Sequence, residues 1–210
     1  MSDLLPLFPL PNVVLFPNVF LPLHIFEPRY REMVADALNG DRLIGMALLK
    51  PGWEHEYEGR PPVYAIGCSG LMTHAERLDD GRYNIVLRGV ERFRIVQEDQ
   101  SRSYRRAAVE PVIENPGTAD DRIAVQRQRA KLEALLAPTI ERIGADLTIP
   151  RAMADEDLVH ALAQYLDLEP IEKQALLEKV SLRARAESLV ELLEMKMMAA
   201  RTPSALHLVH

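Results

Sequence analysis

Two patterns of hydrophobic positions divide the chain. Up to about residue 115, apolar residues alternate with polar ones or form short runs between glycines and prolines, which is typical of β-strands. Beyond the turn at residues 115–118 the apolar positions recur at helical spacing. The sequence therefore predicts an α+β protein, with a β-rich domain over residues 1–115 and an α-helical bundle over residues 116–210.

Turn and cap signals place the elements within this frame. Prolines crowd the first 28 residues and predict short strands and turns there. EPRYREMVADALNG predicts one helix, which begins near Pro28 and ends at Asn39-Gly40, and RLIGMALLK predicts a buried strand. Four further helices are predicted over residues 123–143, 155–166, 170–179 and 182–200.

A hairpin is the strongest local signal. The strand-like runs VYAIGCSGLMTHAERL and RYNIVLRGVERFRIV flank Asp79-Asp80-Gly81, and an Asp-Gly pair supplies the positive φ that a tight turn requires. Gly67, Gly70 and Gly89 interrupt these runs, as bulges and sharp bends do in small barrels. We therefore expect a barrel-like sheet.

Composition narrows the classes of function. The chain has 25 basic and 31 acidic side chains, and its net charge of -6 repels a polyanion on average. Its single cysteine, Cys68, excludes an intrachain disulfide and suits a reducing compartment. The N-terminal residues lack the basic region of a signal peptide, and no apolar run is long enough to span a membrane. We expect a cytoplasmic protein without membrane attachment.

No catalytic constellation is visible. The patterns GxxxxGK[ST], HExxH and GxSxG are missing, and the histidines are scattered singly. We therefore predict a protein that is not an enzyme and has no catalytic residue, cofactor or metal site. A hydrolase site at Cys68, Ser69, His74 and Glu76 is a weaker alternative that depends only on their closeness in the sequence, and Cys68 is better explained as a small buried hydrophobic residue.

Aromatic residues mark a candidate binding surface. Trp53 and Tyr57 lie in the charged loop PGWEHEYEGRPP, where full burial is difficult, and Tyr64 follows this loop. Exposed aromatic side chains are frequent anchors in protein recognition, so we predict that these three residues bind peptide. The alternative is that Trp53 folds back over one end of the barrel as a lid.

Binding of RNA is the alternative function. The candidate contact residues are arginines on neighbouring predicted strands: Arg88, Arg92, Arg94, Arg105 and Arg106. Acidic residues are interleaved with them at Glu91, Glu98 and Glu110, which favours a solvated face of mixed charge.

The N-terminal segment carries a family signature. LPLFPLPNVVLFPNVFLPLHIFEPRYREMV closely resembles the opening of the Lon protease N-terminal, substrate-binding domain family. IGCSG and DGRYNIVLRGVERFRI follow in the expected order, and EKQALLEKVSLRARAESLVELLE is similar to the helical segment of that family. The resemblance spans about residues 4–195.

The resemblance implies a PUA-like β pseudo-barrel followed by a helical bundle, which together engage unfolded or damaged proteins. Lon proteases continue into an ATPase and a Ser-Lys peptidase domain, and neither motif occurs in this chain. The resemblance therefore implies a stand-alone recognition module, with unfolded client proteins and a separate protease or chaperone as partners. PUA-like barrels also occur in RNA-associated proteins, which keeps the RNA alternative open.

The signature residues also have a structural explanation. Seven of them are apolar at strand spacing and are expected to fill the barrel: Phe8, Leu10, Leu15, Phe16, Leu23, Ile25 and Phe26. Glu27 suits the positive end of the helix that follows, and Arg29 is expected to clamp a neighbouring strand.

Overall fold

We describe the protein from a computed structural model. The structure describes residues 4–56, 59–115, 117–143, 150 and 152–201. The strands are β1 (Leu5–Leu10), β2 (Phe20–Ile25), β3 (Leu43–Leu48), β4 (Ile66–Arg77), β5 (Tyr83–Asp99) and β6 (Arg105–Pro111). The helices are α1 (Pro28–Leu38), α2 (Ala119–Ile143), α3 (Asp155–Tyr165), α4 (Pro170–Leu177) and α5 (Leu182–Arg201), with a short 3₁₀ helix at Trp53–Glu56. The α+β fold class is confirmed.

The six strands form one sheet that closes on itself unevenly. Their order is β2-β5-β4-β3-β1-β6, and β5 pairs with β6 as well. Five strands thus complete a ring, while β2 lies outside it along the first half of β5. β1 and β3 are parallel, and all other pairs are antiparallel. This arrangement is the predicted pseudo-barrel.

The long strand β5 makes the closure possible because it changes partners along its length. Its first half pairs with β2, and its second half pairs with β6. Gly89 lies between the halves, and a Cβ there would collide with the carbonyl oxygen of Phe16. Only glycine lets the incoming chain pass so close to the strand.

The predicted hairpin is present between β4 and β5. The Leu78 amide donates to the carbonyl oxygen of Arg82 at 2.9 Å, and Gly81 has a φ of 80°. A residue with a side chain is strained at that angle, so the Asp-Gly pair determines the turn.

Most of the signature residues fill the interior as expected. Phe8, Leu15, Phe16 and Ile25 are buried. The prediction for Phe26 is wrong, because its side chain is 60% exposed. Successive residues of an extended chain face opposite sides, so the inward side chain of Ile25 turns its neighbour outward.

Contacts divide the chain into two compact units, and α3 contributes to both. The first unit contains Met1–Ile113 and His160–Glu178, and the second contains Glu114–Val159 and Lys179–His210. The predicted domain boundary near residue 115 stays a prediction.

Within the first unit, the helical segment 160–178 is joined to the sheet by polar contacts. The Phe16 amide donates to Oε1 of Gln164 at 3.2 Å, and Nε2 of Gln174 donates to the carbonyl oxygen of Ile66 at 2.9 Å. Both glutamines are buried, so these bonds satisfy groups that water does not reach. The second half of α3 and all of α4 therefore pack on the barrel.

The second unit is held by α2, α5 and a buried ion pair. Thr118 caps α2 through reciprocal bonds with Asp121. Arg185 of α5 is fully buried and binds both carboxylate oxygens of Glu114, at 3.0 and 3.3 Å. In the described part of the chain, no helix is long and apolar enough to cross a membrane.

Candidate functional site

Trp53 and Tyr64 line one cavity of about 250 Å³ in the first unit. We call this cavity the aromatic groove. Its other principal walls come from three separate parts of the chain: Pro11, Pro51, Pro170 and Ile171. The structure thus brings together two of the three predicted peptide-binding residues. The third, Tyr57, lies outside the described residues.

The loop between β3 and β4 positions both aromatic side chains. The Lys50 amide donates to the carbonyl oxygen of Pro62 at 2.8 Å, and the Tyr64 amide donates to that of Leu48 at 2.9 Å. These bonds tie the two legs of the loop side by side. Gly52, at a φ of 89°, then turns the chain so that Trp53 begins the 3₁₀ helix above them.

The first turn of α4 supplies the opposite wall. The side chain of Glu172 accepts a bond from the amide of Glu169 at 2.7 Å, in a capping box that sets the start of this helix. Pro170 and Ile171 are consequently the first two helical residues, and Ile171 is 50% exposed. Sequence reasoning missed both residues, and the only local signal for them is an apolar side chain in a first turn.

The groove is apolar with charges at its rim. Leu48 and Leu49 are buried beneath it, whereas Glu54 is exposed at its edge. Nζ of Lys50 lies 5.8 Å from the centre of the Tyr64 ring, within range of a cation–π contact. The cavity is smaller than the roughly 300 Å³ at which pockets for whole drug-sized ligands begin. It suits one or two apolar side chains of a larger ligand.

Trp53 is half-buried and lines the groove, which does not distinguish the anchor from the lid. Its role in binding stays a prediction.

Two of the five arginines proposed for RNA binding are buried. Arg92 donates to the carbonyl oxygen of Leu177 at 2.9 Å. Arg105 donates to the carbonyl oxygen of Pro61 at 2.5 Å, and burial lowers the pKa of its guanidinium. Neither is placed to contact a phosphate backbone on the outside of the sheet.

The remaining three arginines are more accessible to solvent. Arg88 and Arg94 are exposed, while Arg106 is half-buried and pairs with Asp99 at 2.8 Å. The Ser101 hydroxyl and Arg106 together lower the pKa of Asp99 to about 2, so this pair stays ionised at neutral pH. Such an arrangement does not favour a continuous basic patch, and RNA binding stays a prediction.

The weaker catalytic alternative has no support in the geometry. Cys68 is completely buried, and the Ser69 hydroxyl donates to the carbonyl oxygen of Glu91 at 3.2 Å. His74 and Glu76 are exposed farther along β4, beyond a bulge. Across the described ranges, no three His, Cys, Asp or Glu residues lie close enough together to hold a metal ion.

Comparison with known proteins relates the chain to the substrate-binding domain of Lon proteases. A family model described as the ATP-dependent protease La (LON) substrate-binding domain matches residues 4–195. Lon protease 2 of Myxococcus xanthus is 29% identical over 202 residues, which cover 92% of this chain and 24% of that protein. The Lon protease of Anaeromyxobacter dehalogenans is 28% identical over 200 residues, which cover 91% of this chain and 23% of that protein. The chain thus spans about a quarter of the length of these relatives.

Two solved structures share the fold. The N-terminal domain of the Mycobacterium avium complex Lon protease superposes with a TM-score of 0.67 at 19% identity, covering 91% of this chain and 98% of that one. The Lon N-terminal domain protein from Xanthomonas campestris superposes with a TM-score of 0.57 at 23% identity, covering 96% of this chain and 99% of that one. At these identities the likeness concerns the fold.

Proposed function

The chain belongs to the LON substrate-binding domain family, and on this premise we propose that it recognises exposed apolar segments of unfolded proteins through the aromatic groove. Family membership supports a substrate-recognition module. The choice of unfolded segments as ligand, and of the groove as the surface, is our proposal.

The observation that carries the proposal is the convergence of Trp53, Tyr64 and Ile171 on one open apolar cavity. Unfolded polypeptides differ from folded ones mainly by their exposed apolar side chains. Burying one such side chain contributes about 1.5–3 kcal/mol before the cost of ordering the segment. We therefore expect weak, reversible capture, with a dissociation constant on the order of micromolar to millimolar.

We further propose that the module acts by binding alone and passes its clients to a separate protease or chaperone. Support comes from the matched family model, which describes a substrate-binding domain. The buried Cys68 and the dispersed His74 and Glu76 also offer no assembled nucleophile and base.

The experiment measures fluorescence anisotropy of a labelled, permanently unfolded polypeptide during titration with the protein. We expect saturable binding that weakens about tenfold or more in Trp53→Ala and in Tyr64→Ala, because each truncation removes an aromatic wall of the groove. Labelled single-stranded RNA is titrated in parallel at several salt concentrations.

Phe26→Ala is the matched control, since this aromatic side chain is exposed but lies outside the groove. It should bind the polypeptide as the parent protein does. A loss of binding in Phe26→Ala with none in Trp53→Ala would move the site to another surface. Absence of saturable polypeptide binding, or salt-sensitive RNA binding in its place, would refute the proposal.

A further inference from the structure

A second cavity, of about 230 Å³, is lined in part by other residues of the loop that carries the aromatic groove. We call it the arginine pocket, because Arg29, Arg60 and Arg105 all line it. Leu49 lines both cavities, and Ser103 adds a hydroxyl to the second. Of these arginines, only Arg105 is a candidate contact residue from sequence, and the ligand predicted there is RNA.

Arg105 is the most deeply buried of the three guanidinium groups, at 5% exposure. Its Nη2 donates to the carbonyl oxygen of Pro61. Its Nη1 lies 3.5 Å from Oε1 of Glu98 but has no hydrogen-bond partner among the described residues. A buried donor without an acceptor is costly, so this atom is available for a ligand.

Arg60 adds a second cation, whose contacts within the described residues are with uncharged main-chain oxygens. Its Nη1 and Nη2 donate to the main-chain carbonyl oxygens of Asp99 and Arg102, at 3.1 and 3.0 Å. No carboxylate of the described residues lies within ion-pair distance of it. A guanidinium carries five N–H donors, so several remain after these two bonds.

The positive charges also act on one another. Burial lowers the pKa of Arg105, Glu98 opposes this effect, and the neighbouring charges of Arg60 and Arg29 lower the pKa further. Arg29 is compensated by Glu27 at 3.0 Å. An anion between Arg60 and Arg105 would relieve the repulsion and supply an acceptor to Nη1 of Arg105.

We propose that the arginine pocket binds an oxyanion, a carboxylate or phosphate group, between the guanidinium groups of Arg60 and Arg105. Planar guanidinium groups match the paired oxygens of such anions. The small volume suits one charged group with a short substituent, for which Tyr30 and Leu49 offer apolar walls. The group can come from a free small anion or from the terminal carboxylate of a polypeptide.

Calorimetric titration with inorganic phosphate tests the free anion, with sodium chloride at matched ionic strength as the reference. Two short peptides of one sequence, with a free and an amidated C-terminus, test the polypeptide source. We expect the parent protein to bind phosphate, the free-carboxylate peptide or both. Preference for the free over the amidated peptide identifies a polypeptide terminus as ligand, whereas phosphate binding without that preference identifies a small anion.

Variants locate the binding. Arg60→Gln should weaken oxyanion binding about tenfold or more, because a charge-assisted bond is lost. Arg105→Lys keeps the charge but loses the planar fork, and should also weaken it. Arg94→Gln, an exposed arginine on β5, is the matched control and should bind as the parent does.

A purely structural role for these arginines, as ties of the loop to carbonyl oxygens, predicts no oxyanion binding. The proposal is therefore overturned if neither phosphate nor the free-carboxylate peptide binds at up to about 10 mM. It is also overturned if Arg60→Gln binds as tightly as the parent. Should Arg105→Lys fail to fold, the half-buried Arg60 still decides the question.

Discussion

The aromatic groove and the arginine pocket share the loop between β3 and β4 and are similar in volume, yet their linings differ in chemistry. The groove offers apolar side chains, with charges only at its rim. The pocket holds guanidinium groups whose nearest partners are mostly main-chain carbonyl oxygens. One connection between two strands thus contributes to two cavities of opposite chemistry, and Leu49 is a wall of both.

The largest expected effect comes from removing that common wall. Leu49 is 3% exposed, and Leu49→Ala should lower the free energy of unfolding by about 2–5 kcal/mol through lost burial and the cavity left behind. Denaturant unfolding measures the change, and both ligand classes should then bind more weakly. Leu71→Ala, at the 37% exposed leucine on β4, is the control and should cost less than about 1 kcal/mol.

Separate loss of the two proposed binding activities is the next effect in size. Trp53→Ala should weaken the binding of unfolded polypeptide about tenfold and leave phosphate binding unchanged. Arg60→Gln should weaken phosphate binding and leave polypeptide binding unchanged. Each variant is titrated with both ligands. Equal loss of both in either variant would show that the two cavities act as one site.

A smaller gain of affinity is expected when Glu98 loses its charge. Its carboxylate lies 3.5 Å from Nη1 of Arg105 and competes with an anion for that group. Because Glu98 is partly solvated, Glu98→Gln should raise phosphate affinity only roughly two- to fivefold. Calorimetry checks the direction, and weaker binding in the variant would mean that Glu98 positions Arg105 and does not compete.

A still smaller effect is expected on the stability of the fold at acidic pH. The Ser101 hydroxyl and Arg106 lower the pKa of Asp99 from 3.8 to about 2. A carboxyl group whose pKa is lower in the folded state stabilises the fold above its unfolded pKa, and this contribution is lost as the pH falls from about 4 to 2. Asp99→Asn should remove that part of the pH dependence, as thermal unfolding at pH 2 to 5 would show. An identical pH profile in the variant would contradict the assignment.

Local chemistry made much of the fold predictable. The Asp79–Gly81 turn and the helix at Pro28 depend on residues within a few positions of each other. The double pairing of β5 and the position of β2 outside the ring depend on distant strands, so no local pattern specifies them. The prediction that Phe26 is buried fails because it follows the hydrophobicity of the residue and not the alternation with the buried Ile25.

The candidate sites divide in the same way. Trp53 and Tyr64 were recognisable because aromatic residues stand out in a charged loop. Pro170 and Ile171 reach the same groove from more than 100 positions away, so the sequence carries no sign of the pairing. The five arginines of β5 and β6 look alike in sequence. Arg92 and Arg105 differ from the others because they are buried and donate to the carbonyl oxygens of Leu177 and Pro61, which are distant in sequence.

The most direct test of recognition through the aromatic groove uses the fluorescence of Trp53, the only tryptophan in the chain. The protein is titrated with an unfolded polypeptide that lacks tryptophan. We predict a saturable blue shift of the emission, because a bound apolar segment would exclude water from the half-buried indole. Emission that does not change while polypeptide binds, as measured by anisotropy, would contradict recognition through the aromatic groove.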